Sequence, residues 1–247
     1  MGAGYWLVAY LAMTLIAFSK AGFGGGPGVL ATPILALAAD SKTAIAVMLP
    51  IMLACDVWCV VIYRRGCVWS KVIPLLIGFF VGMLVGTYLL ADVPGQEVWL
   101  KKSIGGLSVL FGLSHFLILK NSRLNRYVPQ KFWFGVLMGV FGGVVSTLAH
   151  AAGPLTAMYF LSQEDDKERF MGSIIVYSFI GNLLKVPSYI LSDTMNAHTW
   201  HLTWPLLPAV PIGIGLGWYL NKKMSNANFT SWINAVLVVI GLFLIVS

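Results

Sequence analysis

Charge is what this sequence has least of. Only 10% of its 247 residues are Asp, Glu, Lys or Arg, nine of them acidic, while 58% are hydrophobic and the mean hydropathy is +0.84. That leaves too little polar surface to cover a water-soluble globule of this size, so the chain reads as an all-α integral membrane protein. Basic residues are missing before Lys20, so the first apolar segment lacks the charged start of a cleavable leader and reads as a retained helix. Cysteine is scarce too. Cys55, Cys59 and Cys67 lie in or beside one apolar segment, the first two a helical turn apart, which fits packing and offers no metal-ligand spacing. No phosphate-binding loop and no soluble domain are present, which excludes nucleotide-driven transport by this chain. The net charge of +7 is largely that of short loops and gives no reason to expect a nucleic-acid partner.

What is present is a series of apolar stretches. The long ones run approximately 5–20, 43–63, 72–91, 98–119, 131–148, 170–191, 202–220 and 229–246, and each is near the length that spans about 30 Å of hydrocarbon. Two more, about 28–39 and 154–162, are too short to span, and each follows a Gly/Ala-rich interruption, "GFGGGPG" or "AHAAGP". The expected fold is therefore eight long transmembrane helices plus two short half-helices. The coincidence also exposes an internal repeat. At an offset of 127, Ser19, Gly26 and Pro27 meet Ser146, Gly153 and Pro154; at 131, Trp69, Pro74, Gly82, Gly86, Tyr88 and Leu89 meet Trp200, Pro205, Gly213, Gly217, Tyr219 and Leu220. Residues 1–247 thus form a single transporter-like domain of two repeats, about 5–120 and 131–247.

Loop charge orients the repeats. Arg64, Arg65 and Lys71, then Lys120, Arg123, Arg126 and Lys131, then Lys222 and Lys223 mark cytoplasmic connections, whereas the loop at 192–201 carries Asp193 and no Lys or Arg. These sides agree if each half contributes five segments and the halves are inverted. Lys101 and Lys102 run against the trend, falling on the outer side.

Non-helical backbone at membrane depth is tolerated only where protein buries it or it lines a wet cavity, because each unsatisfied peptide group costs several kcal/mol. The glycine-rich interruption therefore implies a site. Gly24, Gly25 and Gly26 permit a sharp turn with exposed N–H groups, and Pro27 suits the first turn of a following helix. Such N–H groups favour an anion, and two interruptions entering from opposite faces would meet near the midplane. The competing reading is close helix packing, which the spacing of Gly78, Gly82 and Gly86, and of Gly135, Gly139 and Gly143, fits better.

At these residues the sequence resembles the sulfite exporter TauE/SafE family of membrane transporters. "GFGGGPGVLATPIL" is similar to its N-terminal glycine-rich motif, "YRRGCVWSKVIPLLIGFFVGMLVGTYL" to its basic loop and Gly-spaced helix, and "PIGIGLGWYLNKKMSNANFTSWINAVLVVIGLFLI" to its C-terminal end. The resemblance implies outward transport of sulfite, a sulfonate or a related small sulfur-containing anion across a plasma (inner) membrane, without a cofactor. One departure is "AHAAGPL" in place of a second glycine-rich motif, which sets His150 opposite Phe23.

The ionisable residues inside apolar segments complete the candidate site. Asp56 is a candidate carrier of a coupled proton, or a member of a structural ion pair, with Lys185 as one possible partner. Lys185, in "GNLLKVPSY" with Asn182 before it and Pro187 disturbing the helix after it, could attract an anion or snorkel to the interface. Lys20 and His150 adjoin the two interruptions. The expected substrate-binding set is Ser19, Lys20, Gly24, Gly25, Gly26, Ser146, His150, Gly153, Asn182 and Lys185, with Asp56 for the proton. Beyond the anion, the lipid bilayer and that proton, no partner is expected. Two alternatives are a non-coupled small-anion channel and, with less support, an enzyme in the membrane; Ser146 and His150 at i, i+4 are the only tempting pair for the latter.

Overall fold

A computed structural model describes residues 2–25, 28, 31–36, 38–92, 131–164, 166–225, 228 and 232. The expected spans at 98–119 and 229–246, with Lys101, Lys102, Lys120, Arg123 and Arg126, lie outside the described residues, as do Gly26 and Pro27. The elements in order are α1 (Ala3–Phe23), α2 (Ala31–Ala36), α3 (Ser41–Tyr63), α4 (Trp69–Asp92), α5 (Phe132–Ala149), α6 (Gly153–Gln163), α7 (Lys167–Leu191), α8 (Ala197–Thr203) and α9 (Ala209–Lys223). Tight 3-10 turns at Arg64–Gly66 and Trp204–Leu206 link α3 to α4 and α8 to α9, and there is no strand among the described residues.

Five of the helical stretches are long and apolar enough to cross a membrane: Ala3–Phe23, Lys42–Gly66, Trp69–Leu89, Phe132–Ala149 and Lys167–Leu191. At 1.5 Å per residue α3 is about 35 Å long, whereas α2 and α6 reach only about 9 and 16 Å, too short to cross about 30 Å of hydrocarbon. The helices start and stop where local chemistry says they should. Asp40 and Asp166 cap α3 and α7, each accepting from the N–H three residues on, Thr43 at 2.9 Å and Arg169 at 3.0 Å. The acidic run before α7 thereby begins that helix. The left-handed residues Gly24 and His150 end α1 and α5.

One sequence expectation is corrected here. The stretch 202–220 is not one helix, because the chain turns at Trp204–Leu206 between α8 and α9. Prolines 205, 208 and 211 remove three N–H donors at three-residue spacing, while Pro74, the counterpart of Pro205, stands alone inside a continuous α4. Pro187 lies inside α7, which runs on through it to Leu191.

Packing follows the glycines. α4 lies along α5 so closely that a methyl group on Gly82 would stand 2.0 Å from the Val140 carbonyl oxygen, and one on Gly139 would stand 2.1 Å from that of Leu75. α1 lies along α9 in the same manner, with Gly213 and Gly217 against the carbonyls of Thr14 and Phe18 at 2.6 and 2.3 Å from a notional methyl. Gly82 and Gly86 of the first repeat thus do what Gly213 and Gly217 do in the second. In each case the last described helix of one repeat packs on the first helix of the other, and α3 packs on α7 between the two seams.

Candidate functional site

The interruption after α1 is closed by its own hydrogen bonds. Gly24 and Gly25 adopt φ of +69° and +98°, a region that glycine enters without strain. Their N–H groups donate to the carbonyls of Lys20 (3.1 Å) and Ser19 (3.0 Å), and the Gly28 N–H donates to Ser19 Oγ at 2.6 Å. Ser19 is therefore committed to holding the turn. A methyl on Gly24 would lie 2.5 Å from Ile174 Cγ2 on α7, so the turn also sits tightly on that helix.

The interruption after α5 is built differently. His150 takes φ +52°, a conformation that costs an L-residue about 1–2 kcal/mol. Its side chain holds it there. Nε2 lies 2.9 Å from the Ile45 carbonyl on α3, and Nδ1 lies 2.9 Å from Lys185 Nζ on α7. A carbonyl only accepts, so Nε2 carries the hydrogen and Nδ1 is left to accept from Lys185. Beyond His150, the N–H groups of Ala151, Ala152 and Gly153 have no acceptor among the described residues.

Two lysines flank the space between the interruptions. Lys20 is buried and paired with Asp56 of α3, and also donates to Ser178 Oγ at 2.8 Å. The second Asp56 oxygen accepts from Asn182 Nδ2 at 2.6 Å, which fixes the orientation of that amide. The partner of Asp56 is thus Lys20, not Lys185. Lys185 is fully buried (0% exposed) and donates to Ser146 Oγ (3.0 Å) and the Ser146 carbonyl (3.4 Å) besides His150. It is not snorkelling, and no carboxylate pairs with it among the described residues.

These groups surround a cavity of about 40 Å³. Since one water needs roughly 10–15 Å³, there is room for about three waters or an ion of a few heavy atoms. Lys20, Gly24, Gly25, Ser146, His150, Gly153 and Asn182 line it; Ser19, Asp56 and Lys185 stand behind that lining. Gly26 lies outside the described residues. Phe79, Thr156, Tyr177 and Ser178 also line the cavity and were not singled out from sequence. One signal could have found Ser178: it extends the polar stripe of Asn182 and Lys185 by one more turn, at i−4 from Asn182.

The chain bears the sequence pattern of a known family along nearly its whole length. A family model described as Sulfite exporter TauE/SafE matches residues 9–244. No curated protein and no solved structure matches the chain.

Proposed function

Since the chain belongs to the sulfite exporter TauE/SafE family, whose members are membrane transporters and not enzymes, we propose that it is a secondary transporter exporting a small sulfur-containing anion, sulfite or a small sulfonate, across the plasma membrane. The observation that carries this reading is the small cavity at which both chain interruptions arrive, lined by Lys20, Asn182, Ser146 and Ser178. Its size suits a substrate of a few heavy atoms.

In this reading Ser146, His150 and Gly153 of the second repeat and Lys20, Gly24, Gly25 and Asn182 contact the anion. Lys185 adds positive charge from behind, and Asp56 carries the coupling proton against Lys20. The two repeats are inverted, α2 and α6 are the half-helices of two re-entrant segments, and movement of one helix bundle against the other gives alternating access. The paired seams, α4 on α5 and α9 on α1, support a two-fold relation between repeats.

Purified protein in liposomes tests the transport reading. Sulfite and methanesulfonate should exchange saturably and accumulate against a pH gradient, with chloride a poor competitor; unsaturable flux indifferent to the pH gradient would favour a channel. Labelling of single cysteines tests inversion. Gly66 cannot carry one, since a methyl there would stand 2.1 Å from the Glu168 carbonyl, but exposed Arg65, Lys223 and His198 can. Positions 65 and 223 should react from the cytoplasm and 198 from outside, and reaction of 65 and 198 from one side would make the halves parallel.

A further inference from the structure

Three residues that line the cavity carry hydroxyl hydrogens with no destination among the described residues. Ser146 Oγ accepts from Lys185 at 3.0 Å, and Ser178 Oγ accepts from Lys20 at 2.8 Å and from Asn182 at 3.4 Å. Lys20, in its ion pair with Asp56, donates to Ser178, and Lys185 Nζ donates to Ser146 Oγ, so in both contacts the serine accepts and its own O–H is left uncommitted. Among the described residues no acceptor lies within reach of either hydrogen. Tyr177 goes further. Its side chain is buried, it lines the cavity, and its hydroxyl has no hydrogen-bond partner of any kind among the described residues. The hydroxyl sits beside Gly142, one helical turn before Ser146, where a methyl group would lie 3.1 Å from it. A buried hydroxyl left in this state is costly unless something brings it an acceptor.

We propose that Tyr177, Ser178 and Ser146 form a hydroxyl triad that receives the oxygens of a small deprotonated oxyanion, with Lys20 beside the triad and Lys185 acting on the anion through Ser146. This rests on the transporter reading above. Two of the three donors come from adjacent positions on α7 and the third from α5, so the anion bridges helices of the second repeat. Ser146 stands between Lys185 and the cavity, while Ser178 shares the lining with Lys20, and accepting from a lysine makes each serine O–H a stronger donor. The arrangement suits transport. A site must hold its ion firmly enough to load it and weakly enough to release it, and neutral hydroxyls polarised by charge behind them satisfy both demands better than a dry lysine–anion pair. Lys185 is in this scheme a positioning residue, acting through Ser146.

The test is titration of the detergent-purified full chain with sulfite and methanesulfonate, beside its melting temperature. Tyr177→Phe removes a hydroxyl that satisfies nothing among the described residues, so the melting temperature should hold or rise while the sulfite Kd weakens about tenfold to a hundredfold. Ser178→Ala and Ser146→Ala should each weaken it about tenfold. Lys185→Gln should weaken binding in the wild-type background yet add little to Ser146→Ala, a non-additivity that a purely structural lysine would not produce. Unchanged Kd in Tyr177→Phe and Ser178→Ala, with wild-type binding intact, overturns the triad and leaves the transporter reading standing. Failure of Tyr177→Phe to fold would make its hydroxyl structural and overturn the triad as well. Wild-type protein that binds neither anion overturns both.

Discussion

Ser19 and Ser146 occupy matching places in the two repeats, each near the end of a long helix and just before a break in the chain, yet they are used in opposite ways. Ser19 turns inward to accept from the backbone of Gly28, whereas Ser146 accepts from Lys185 and lines the cavity. The contrast extends to everything around them. The first break is made of glycines whose described N–H groups are already satisfied, and its lysine is neutralised by Asp56. The second break is held in a left-handed turn by a histidine and, among the described residues, leaves three N–H groups without acceptors and has a buried lysine whose partners are all neutral. The two breaks differ in what they leave open: the first is a turn satisfied within itself, the second a turn with uncommitted donors among the described residues. Matching position in a repeat is thus a guide to shape and a poor guide to role.

The sharpest way to break this contrast is to remove charge. Lys20→Met or Asp56→Leu each strands a buried charge and should cost about 3–5 kcal/mol, with part of that recovered in the double variant. Lys185→Met strands only neutral groups and should cost less than about 2 kcal/mol. Denaturation in detergent reads both. Equal losses would mean that Lys185 has a counter-charge and that the two halves manage charge alike.

Smaller effects are expected at the turns themselves. Gly24→Ala puts a methyl 2.5 Å from Ile174 Cγ2 at a φ of +69°, and should cost about 2 kcal/mol through the backbone and the clash together. His150→Gly relieves about 1 kcal/mol of left-handed strain but leaves the Ile45 carbonyl and Lys185 short of a partner, for a net loss near 1 kcal/mol. A stabilised His150→Gly protein would show that the histidine contacts do not hold the turn. The smallest predicted effect is the most discriminating. Ser19→Ala should lower stability by about 1 kcal/mol and leave sulfite affinity unchanged, because its hydroxyl serves the turn. A fall in affinity comparable to that of Ser146→Ala would restore equivalence between the halves.

Sequence made the breaks legible because glycine and proline act locally, and it made the seams legible because Gly82, Gly86, Gly213 and Gly217 keep a four-residue spacing that backbone contact requires. It was silent where the outcome depends on a distant partner. Nothing near Asp56 in the chain says that it meets Lys20, 36 residues earlier, instead of Lys185. Tyr177 and Ser178 look like ordinary members of an apolar helix until the hydrogen-bond partners of Ser178, and the absence of any for Tyr177, can be counted. The turn at Trp204–Leu206 was hidden by the repeat itself, since aligning Pro205 with Pro74 transfers the continuity of α4 to a segment that carries two more prolines.

The seam between α1 and α9 also sets a timetable. Thr14 and Phe18 emerge from the ribosome about 200 residues before Gly213 and Gly217, a delay of roughly 10–40 s at 5–20 residues per second. The α4–α5 seam, whose contacts Gly82 and Val140 are about 60 residues apart, closes after roughly 3–12 s. The α1 seam is therefore clasped well after that of α4, and through that interval the strip of α1 backbone that two late glycines will take over waits without them.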